Sequence, residues 1–381
     1  MILTRTIKVK LDAKVSDVRP TIAAYTAAYN LVCKTGWESR DSNGVSLHDK
    51  TYQECRELLP SQLAVSARMK ATESLASVKA LMRKGQKGSC PESKEMSVRF
   101  DKNSYNVWFD RGEVSFSTVD GRKKSSFSMP PAFSKYLSWK RKSAELFVRK
   151  GEVFLSIVFD KETEDIIPSG KVVGVDRGIK KIAVTSDGKF FGGGEIKKQV
   201  LKIGKLRKAL QSKGTKSAKR HLQKLDKKEN RFRRDVNHKV SKAIVESLEP
   251  GTTIVLEDLT NIRDSSKNFR KEQRFLVNSW SFYQLETFLK YKAAGHGCLV
   301  VYGDARYTSQ KCSKCGHTEK ANRKSQSVFL CKHCGHSLNA DFNASLNIKQ
   351  NHLDATCHPG RAAVNRPIVA SLTTQPQATA L

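Results

Sequence analysis

Two short cysteine pairs, Cys312-Ser313-Lys314-Cys315 and Cys331-Lys332-His333-Cys334, stand fifteen residues apart in a chain of 381 residues. Each CxxC pair puts two thiolates on one tight turn, and two such knuckles complete a tetrahedron around a zinc ion. Cys312, Cys315, Cys331 and Cys334 are therefore the expected ligands of one Zn2+ in a zinc ribbon over 311–336. Four protein ligands leave the ion no open position, so the metal is expected to be structural. His317, His333 and His336 are alternative ligands, although two complete pairs make a Cys-for-His exchange unnecessary. Lys311, Lys314, Lys320 and Lys332 lie nearby to offset the thiolate charge. The remaining cysteines, Cys33, Cys55, Cys90, Cys298 and Cys357, are scattered and read as buried or incidental thiols.

Charge narrows the partners. Lys and Arg number 69 against 37 Asp and Glu, a net +32. Such an excess repels itself unless a polyanion neutralises it, and the natural polyanions are RNA, DNA and anionic membrane. No stretch approaches the roughly 20 apolar residues of a membrane span. The opening MILTRTIKVKLDAKV alternates apolar and polar residues where a signal peptide would carry an apolar block. With an odd cysteine count and two CxxC pairs, this points to a reducing cytoplasm and to nucleic acid.

The chain reads as several α/β and β segments. A first strand, Ile2 to Leu11, precedes helical text from about Pro20 to Arg83. Gly85 to Pro91 breaks it. Strand-like stretches follow: YNVWFD, EVSFSTV, SSFSM, AELFVRK and EVFLSIVFD. Trp108, Trp139, Tyr105 and Phe109, at strand spacing, read as core. The first strand is expected to join this set and close a β-barrel (1–18 and 91–165) interrupted by a helical domain (19–90). KETEDIIPSG (161–170) marks a boundary. Two or three strands with turns at Arg177-Gly178 and Asp187-Gly188 come next. Residues 197–247 then form a basic helical stretch, with 18 Lys/Arg against 4 acids and Gly214 as a hairpin point. So one-sided an excess favours a phosphate-facing surface, with Lys205, Arg207, Lys208, Lys219, Arg220, Arg231, Arg233 and Arg234 as candidate contacts. TTIVLED (252–258) and CLVVYGD (298–304) are buried strands, separated by a basic loop (261–274) and an amphipathic helix around 278–294. A helix begins after the ribbon, and the tail from about Ala355 is expected to be disordered.

Acids at strand ends carry the second signal. Asp176 interrupts the apolar Val172-Val173-Gly174-Val175, and burying an unpaired carboxylate is costly, so it needs a partner or a metal. Glu257 ends Ile254-Val255-Leu256 in the same manner, with Asp258 as its competitor; alternation alone does not decide between them. Asp341 lies near the start of the helix after the ribbon, where a plain N-cap is the simpler reading. Together, the order of elements matches an RNase H-like core over 171–310 and 337–354, with the ribbon inserted. Three converging carboxylates repel one another without divalent cations. Two Mg2+ ions held by Asp176, Glu257 and Asp341 would position a scissile phosphate and activate water.

GVDRGIKKIAVTSDG, IVLEDLTNI and RYTSQKCSKCGHTEKANRKSQSVFLCKHCGHSLNADFNASLNI together resemble the TnpB family of transposon-encoded, RNA-guided DNA endonucleases, which are related to compact type V CRISPR effectors. The motifs cover about residues 171–349. The N-terminal half is similar only in architecture, a wedge-like β-barrel interrupted by a recognition domain. The resemblance implies that the RNase H-like core is RuvC-type, with catalytic acids at Asp176, Glu257 and Asp341 and zinc ligands at the four cysteines. It implies a guide RNA from the transposon end, a double-stranded DNA target read beside a short adjacent motif, and a prokaryotic, nucleoid-associated setting. Arg323 and Lys324, in the ribbon loop, are candidate substrate contacts. A non-cleaving guide-directed regulator, an RNase H-like transposase or recombinase and a compact CRISPR effector remain the alternatives.

Overall fold

In the computed structural model, which describes residues 1–259, 270, 274–277, 281–304 and 306–357, strand β1 (Ile2–Leu11) turns Leu3, Ile7, Val9 and Leu11 inward. It pairs antiparallel with β7 (Glu152–Glu162) along its whole length, from Ile2↔Glu162 to Leu11↔Val153. With β2 (Val98–Phe100) and β6 (Lys140–Arg149) they form a sheet of order β1-β7-β6-β2. A second sheet orders β3 (Tyr105–Trp108), β4 (Glu113–Thr118) and β5 (Gly121–Ser126). The last strand falls on GRKKSS and not on SSFSM. The β4–β5 hairpin turns as early as Val119-Asp120, with Thr118 opposite Gly121 and Gly121 at φ 91°. β5 has no apolar face, which hid it from a reading by alternation. Phe127, just after it, bridges to Leu11 and joins the two sheets.

Helices α1 (Val15–Glu38), α2 (Gly44–Leu58) and α3 (Ser61–Arg83) are inserted between β1 and β2. α1 starts a turn before the expected Pro20: Asp17 in its first turn favours a helix N-terminus, and Pro20 lies inside the helix. α2 is capped by Asn43, whose side chain accepts from the Val45 and Ser46 N–H groups. Tyr25, Val32 and Leu63 of the helices share one core with Phe100, Tyr105, Phe116 and Leu155 of the sheets. These elements make up a first unit, Met1–Glu164.

The second unit begins at Asp165. Its sheet has the order β10-β9-β8-β11-β12. β8 (Val172–Asp176), β11 (Thr253–Glu257) and β12 (Leu299–Gly303) run parallel, whereas β9 (Lys181–Thr185) and β10 (Phe190–Gly192) continue it antiparallel. One face is covered by α5 (Lys216–Glu246) and α6 (Phe282–Gly295): Val175, Ile254 and Leu256 pack with Ile244, Val245, Leu285 and Leu289. The other face carries α7 (Ala340–Cys357). A Cβ on Gly174 would sit 2.2 Å from the Ser345 carbonyl oxygen and 2.7 Å from the Lys349 nitrogen, so glycine is what lets α7 lie directly on β8.

Before α5 comes α4 (Gly194–Lys213), joined to it by Gly214 in the left-handed conformation and by Thr215, which caps α5 at Ala218. The two form a hairpin with its own small core of Ile203, Leu210, Ala218 and Leu225. The helix expected around 278–294 is α6; most of the expected loop 261–274 lies outside the described residues. α7 extends three residues into the tail expected to be disordered from Ala355, and residues 358–381 lie outside the described residues. Among the described residues no helix is long and apolar enough to cross a membrane.

Candidate active site and metal centre

Alternation along the two central strands aims the acids. Gly174 meets α7, so Asp176, two residues on, shares that face. Val255 lies against Gly303 on the α7 side, which puts Glu257 there too. Glu257 is buried, while Asp258 is exposed beyond the end of β11. Asp341 sits in the first turn of α7. It is not the helix cap: the Asn339 side chain accepts from the Asp341 and Phe342 N–H groups at 3.1 and 3.2 Å, leaving the Asp341 carboxylate available. Three carboxylates from two neighbouring strand ends and one helix start thus converge.

The electrostatics follow. Asp176 is held well above the ordinary carboxylate range, first by burial and then by repulsion from Glu257 and Asp341, against the pull of Arg323 and Arg177. Burial likewise raises Glu257, opposed by a hydrogen bond from the Thr308 hydroxyl at 3.0 Å and by Arg177 and Arg323. Burial raises Asp341, opposed by Arg323, Lys180 and Lys181. Arg323 reaches out of the ribbon to place a guanidinium nitrogen 3.3 Å from Asp341. Even with these cations nearby, all three acids resist ionisation. They do not form a ready-made cage: among the described residues only the four cysteines bring their ligand atoms within 4.8 Å of one another.

The four cysteine sulfurs lie within 4.8 Å of one another, a group able to hold a metal ion. Its two halves repeat one local structure. Cys312 N–H donates to His317 O and Gly316 N–H to Cys312 O; Cys331 N–H donates to His336 O and Gly335 N–H to Cys331 O. Each knuckle turns on a glycine at positive φ, 76° at Gly316 and 70° at Gly335. The histidines are outside this group, and the His317 and His333 rings stack on each other at 5.5 Å.

The ribbon is tied to the helix that bears Asp341. β13 (Val328–Leu330) pairs with β14 (Ser337–Asn339), which runs straight into α7. Asn343 and Asn347, four apart on α7, clamp the chain entering the ribbon. Asn343 bonds Lys311 O at 2.8 Å and accepts from Ser313 N at 3.0 Å; Asn347 bonds Thr308 O and Lys311 O at 2.8 and 2.7 Å. Sequence reasoning missed these asparagines, Thr308 and Arg177. The signal for Arg177 was its place directly after Asp176; the helix of Asn343 and Asn347 is polar along most of its length, so nothing in the sequence set those two apart.

Of the basic residues singled out in the hairpin, Lys205, Lys208, Lys219, Arg220, Arg231 and Arg234 are exposed. Arg207 and Arg233 are occupied internally. Arg207 bonds Asp226 and Glu229, the latter at 2.8 Å, and Arg233 bonds the buried Glu229.

Residues 156–274 match a family model described as "Probable transposase" (OrfB_IS605), and residues 282–348 match the Cas12f1-like TNB domain. The CRISPR-associated endodeoxyribonuclease Cas12f1 of Sulfoacidibacillus thermotolerans is 35% identical over 226 residues, covering 54% of this chain and 52% of the relative. A TnpB-like protein of Methanocaldococcus jannaschii is 35% identical over 149 residues, 38% of this chain and 51% of the relative. The chain thus spans about half the length of the curated relatives it matches. In structure it resembles the protein of a Cas12f1–sgRNA–target DNA complex, with a TM-score of 0.67, 16% identity and 88% and 82% of the two chains covered. That likeness extends over both units of the fold.

Proposed function

We propose that this chain, a relative of the TnpB-like proteins and of Cas12f1, is an RNA-guided, magnesium-dependent DNA endonuclease encoded by a transposable element. The convergence of Asp176, Glu257 and Asp341 on one face of a mixed sheet, in an RNase H-like (RuvC-type) arrangement, carries the proposal. These acids would hold two Mg2+ ions. When bound, such ions polarise the scissile phosphate and lower the pKa of an attacking water. The chain's own groups orient them: Thr308 fixes one Glu257 oxygen, and α7, capped by Asn339, presents Asp341. Arg323 lies where it can accompany charge developing on the phosphate. The four cysteines would hold a structural zinc ion. A guide RNA is the polyanion suited to the +32 charge, with the exposed lysines and arginines of the α4–α5 hairpin as phosphate contacts.

Purification from cells carrying the native locus is expected to yield one RNA species from the transposon end. The complex is expected to cut DNA that matches this RNA beside a short motif, in magnesium only. Random cellular RNA, or an intact matched target, would defeat the reading. An RNA derived from a repeat array would mark a compact CRISPR effector instead.

The raised acids predict a second result. In the metal-free fold they keep protons that the unfolded chain has released, so their contribution to folded-state stability is greatest below the ordinary carboxylate range. It declines as pH rises through the raised values. A divalent cation that binds only the folded, ionised site restores it. Magnesium is therefore expected to raise the melting temperature at about pH 8 and to raise it less at about pH 4, where protons compete for the site. Equal melting curves with and without magnesium at both pH values would count against metal binding there.

A further inference from the structure

The β8–β11 ladder stops one residue before each acid: its last pair is Leu256↔Val175. The outer neighbours do not stop there. Glu257 still pairs with Gly303 of β12, and Asp176 with Val184 of β9. The two strands that carry Asp176 and Glu257 therefore part at the acids. In place of the next rung stands a side chain. Arg177, turned to the α6 face, donates one guanidinium nitrogen to the main-chain oxygen of Glu257. Its other terminal nitrogen donates to Glu286 of α6 at 3.1 Å. Glu286 in turn accepts from the Tyr302 hydroxyl on β12 and pairs with Lys290 at 3.2 Å.

The Arg177 side chain has no solvent exposure, and its Nε has no hydrogen-bond partner among the described residues. A buried ion pair gains a fold little over an apolar pair of the same size. A charge kept here at such cost points to the site it adjoins.

Resting on the proposed nuclease reading, we propose that Arg177 is a positioning residue for cleavage. Anchored by Glu286 and Tyr302, its guanidinium holds the Glu257 backbone across the parted strands and so sets the spacing between Glu257 and Asp176. The planar fork matters more than the charge, because only a fork reaches Glu286 and the Glu257 carbonyl at once.

The test compares Arg177→Lys and Glu286→Gln with the full-length wild type, each as the guide complex and as the protein alone. Arg177→Lys keeps the charge and loses the bridge. Cleavage at fixed magnesium is expected to fall by about 10–100-fold, the size found when groups supporting metal ligands are removed. The half-saturating magnesium concentration is expected to rise by about tenfold or more, with target binding unchanged. The magnesium-induced rise in melting temperature at about pH 8 is expected to shrink in the protein alone. Glu286→Gln is expected to move the same readouts less, and the double variant to be no worse than Arg177→Lys. Arg177→Lys with wild-type magnesium dependence, or with lowered stability and no change in that dependence, overturns the proposal. If Arg177→Lys fails to fold, Glu286→Gln carries the same comparison. A wild type that never cuts would refute the nuclease reading, while the magnesium-dependent melting still tests the brace.

Discussion

An Asp176→Asn protein is expected to bind its guide and target as the wild type does and to cut at least about a thousandfold more slowly. Metal ions at a phosphoryl centre supply several kcal/mol of transition-state stabilisation, and each 1.4 kcal/mol is a factor of about ten. Asparagine keeps the shape of Asp176 and has no charge to lose, so it removes the cost of holding that carboxyl buried, beside two other acids, at a pH where the unfolded chain ionises it. At about pH 8 without magnesium the same variant is therefore expected to melt higher than the wild type, by about 2–4 °C for each kcal/mol of that cost relieved. Glu257→Gln should behave alike. Cleavage assays, target-binding titrations and melting curves on the three proteins check this. Continued cutting by both variants would remove these residues from catalysis.

Cys331→Ser is expected to be inactive with the opposite signature. Among the described residues the ribbon's buried apolar cluster consists of Cys312, Phe329 and Cys331 with Ala340 of α7, too little to order a segment of its length without a metal. Losing one ligand should release the ion and loosen β13 and β14. Asp341 follows directly from β14, and Arg323 reaches it from the ribbon loop. A displacement of about 1 Å in a reacting group is enough to cost about a hundredfold in rate. Cleavage is expected to fall by at least that much, with lower melting temperature and less than one zinc per chain by metal analysis. A Cys331→Ser protein that is folded, zinc-free and fully active would break the link between ribbon and active site.

What the sequence revealed depended on the range of the interaction. The ribbon was legible because its chemistry is local: four thiols, two turns and a glycine after each second cysteine. Asp176 and Glu257 were legible because a carboxylate at the end of an apolar strand is conspicuous. Alternation did not choose Glu257 over Asp258, and only the resemblance did, since the choice depends on which face α7 covers and that rests on contacts such as Gly174 with Ser345. β5 was misplaced because both of its faces are polar. Arg207 and Arg233 looked like their exposed neighbours, and only the folding of α4 against α5 brings Asp226 and Glu229 to them. The Asn343 and Asn347 clamp joins α7 to the chain entering the ribbon, and no periodicity announces a bond of that kind.

The contact at Gly174 has a mechanical consequence. Backbone lies on backbone where α7 crosses β8, with no side chain between them to repack. Sliding α7 along β8 would bring a residue with a Cβ against its main chain, so the crossing point acts as a pivot that holds one place along the helix. Asp341, a turn before Ser345 at the start of the helix, is steadied from the other side by β14. Loosening the ribbon is therefore expected to tilt Asp341 about this pivot while Asp176, two residues from Gly174 on β8, keeps its place.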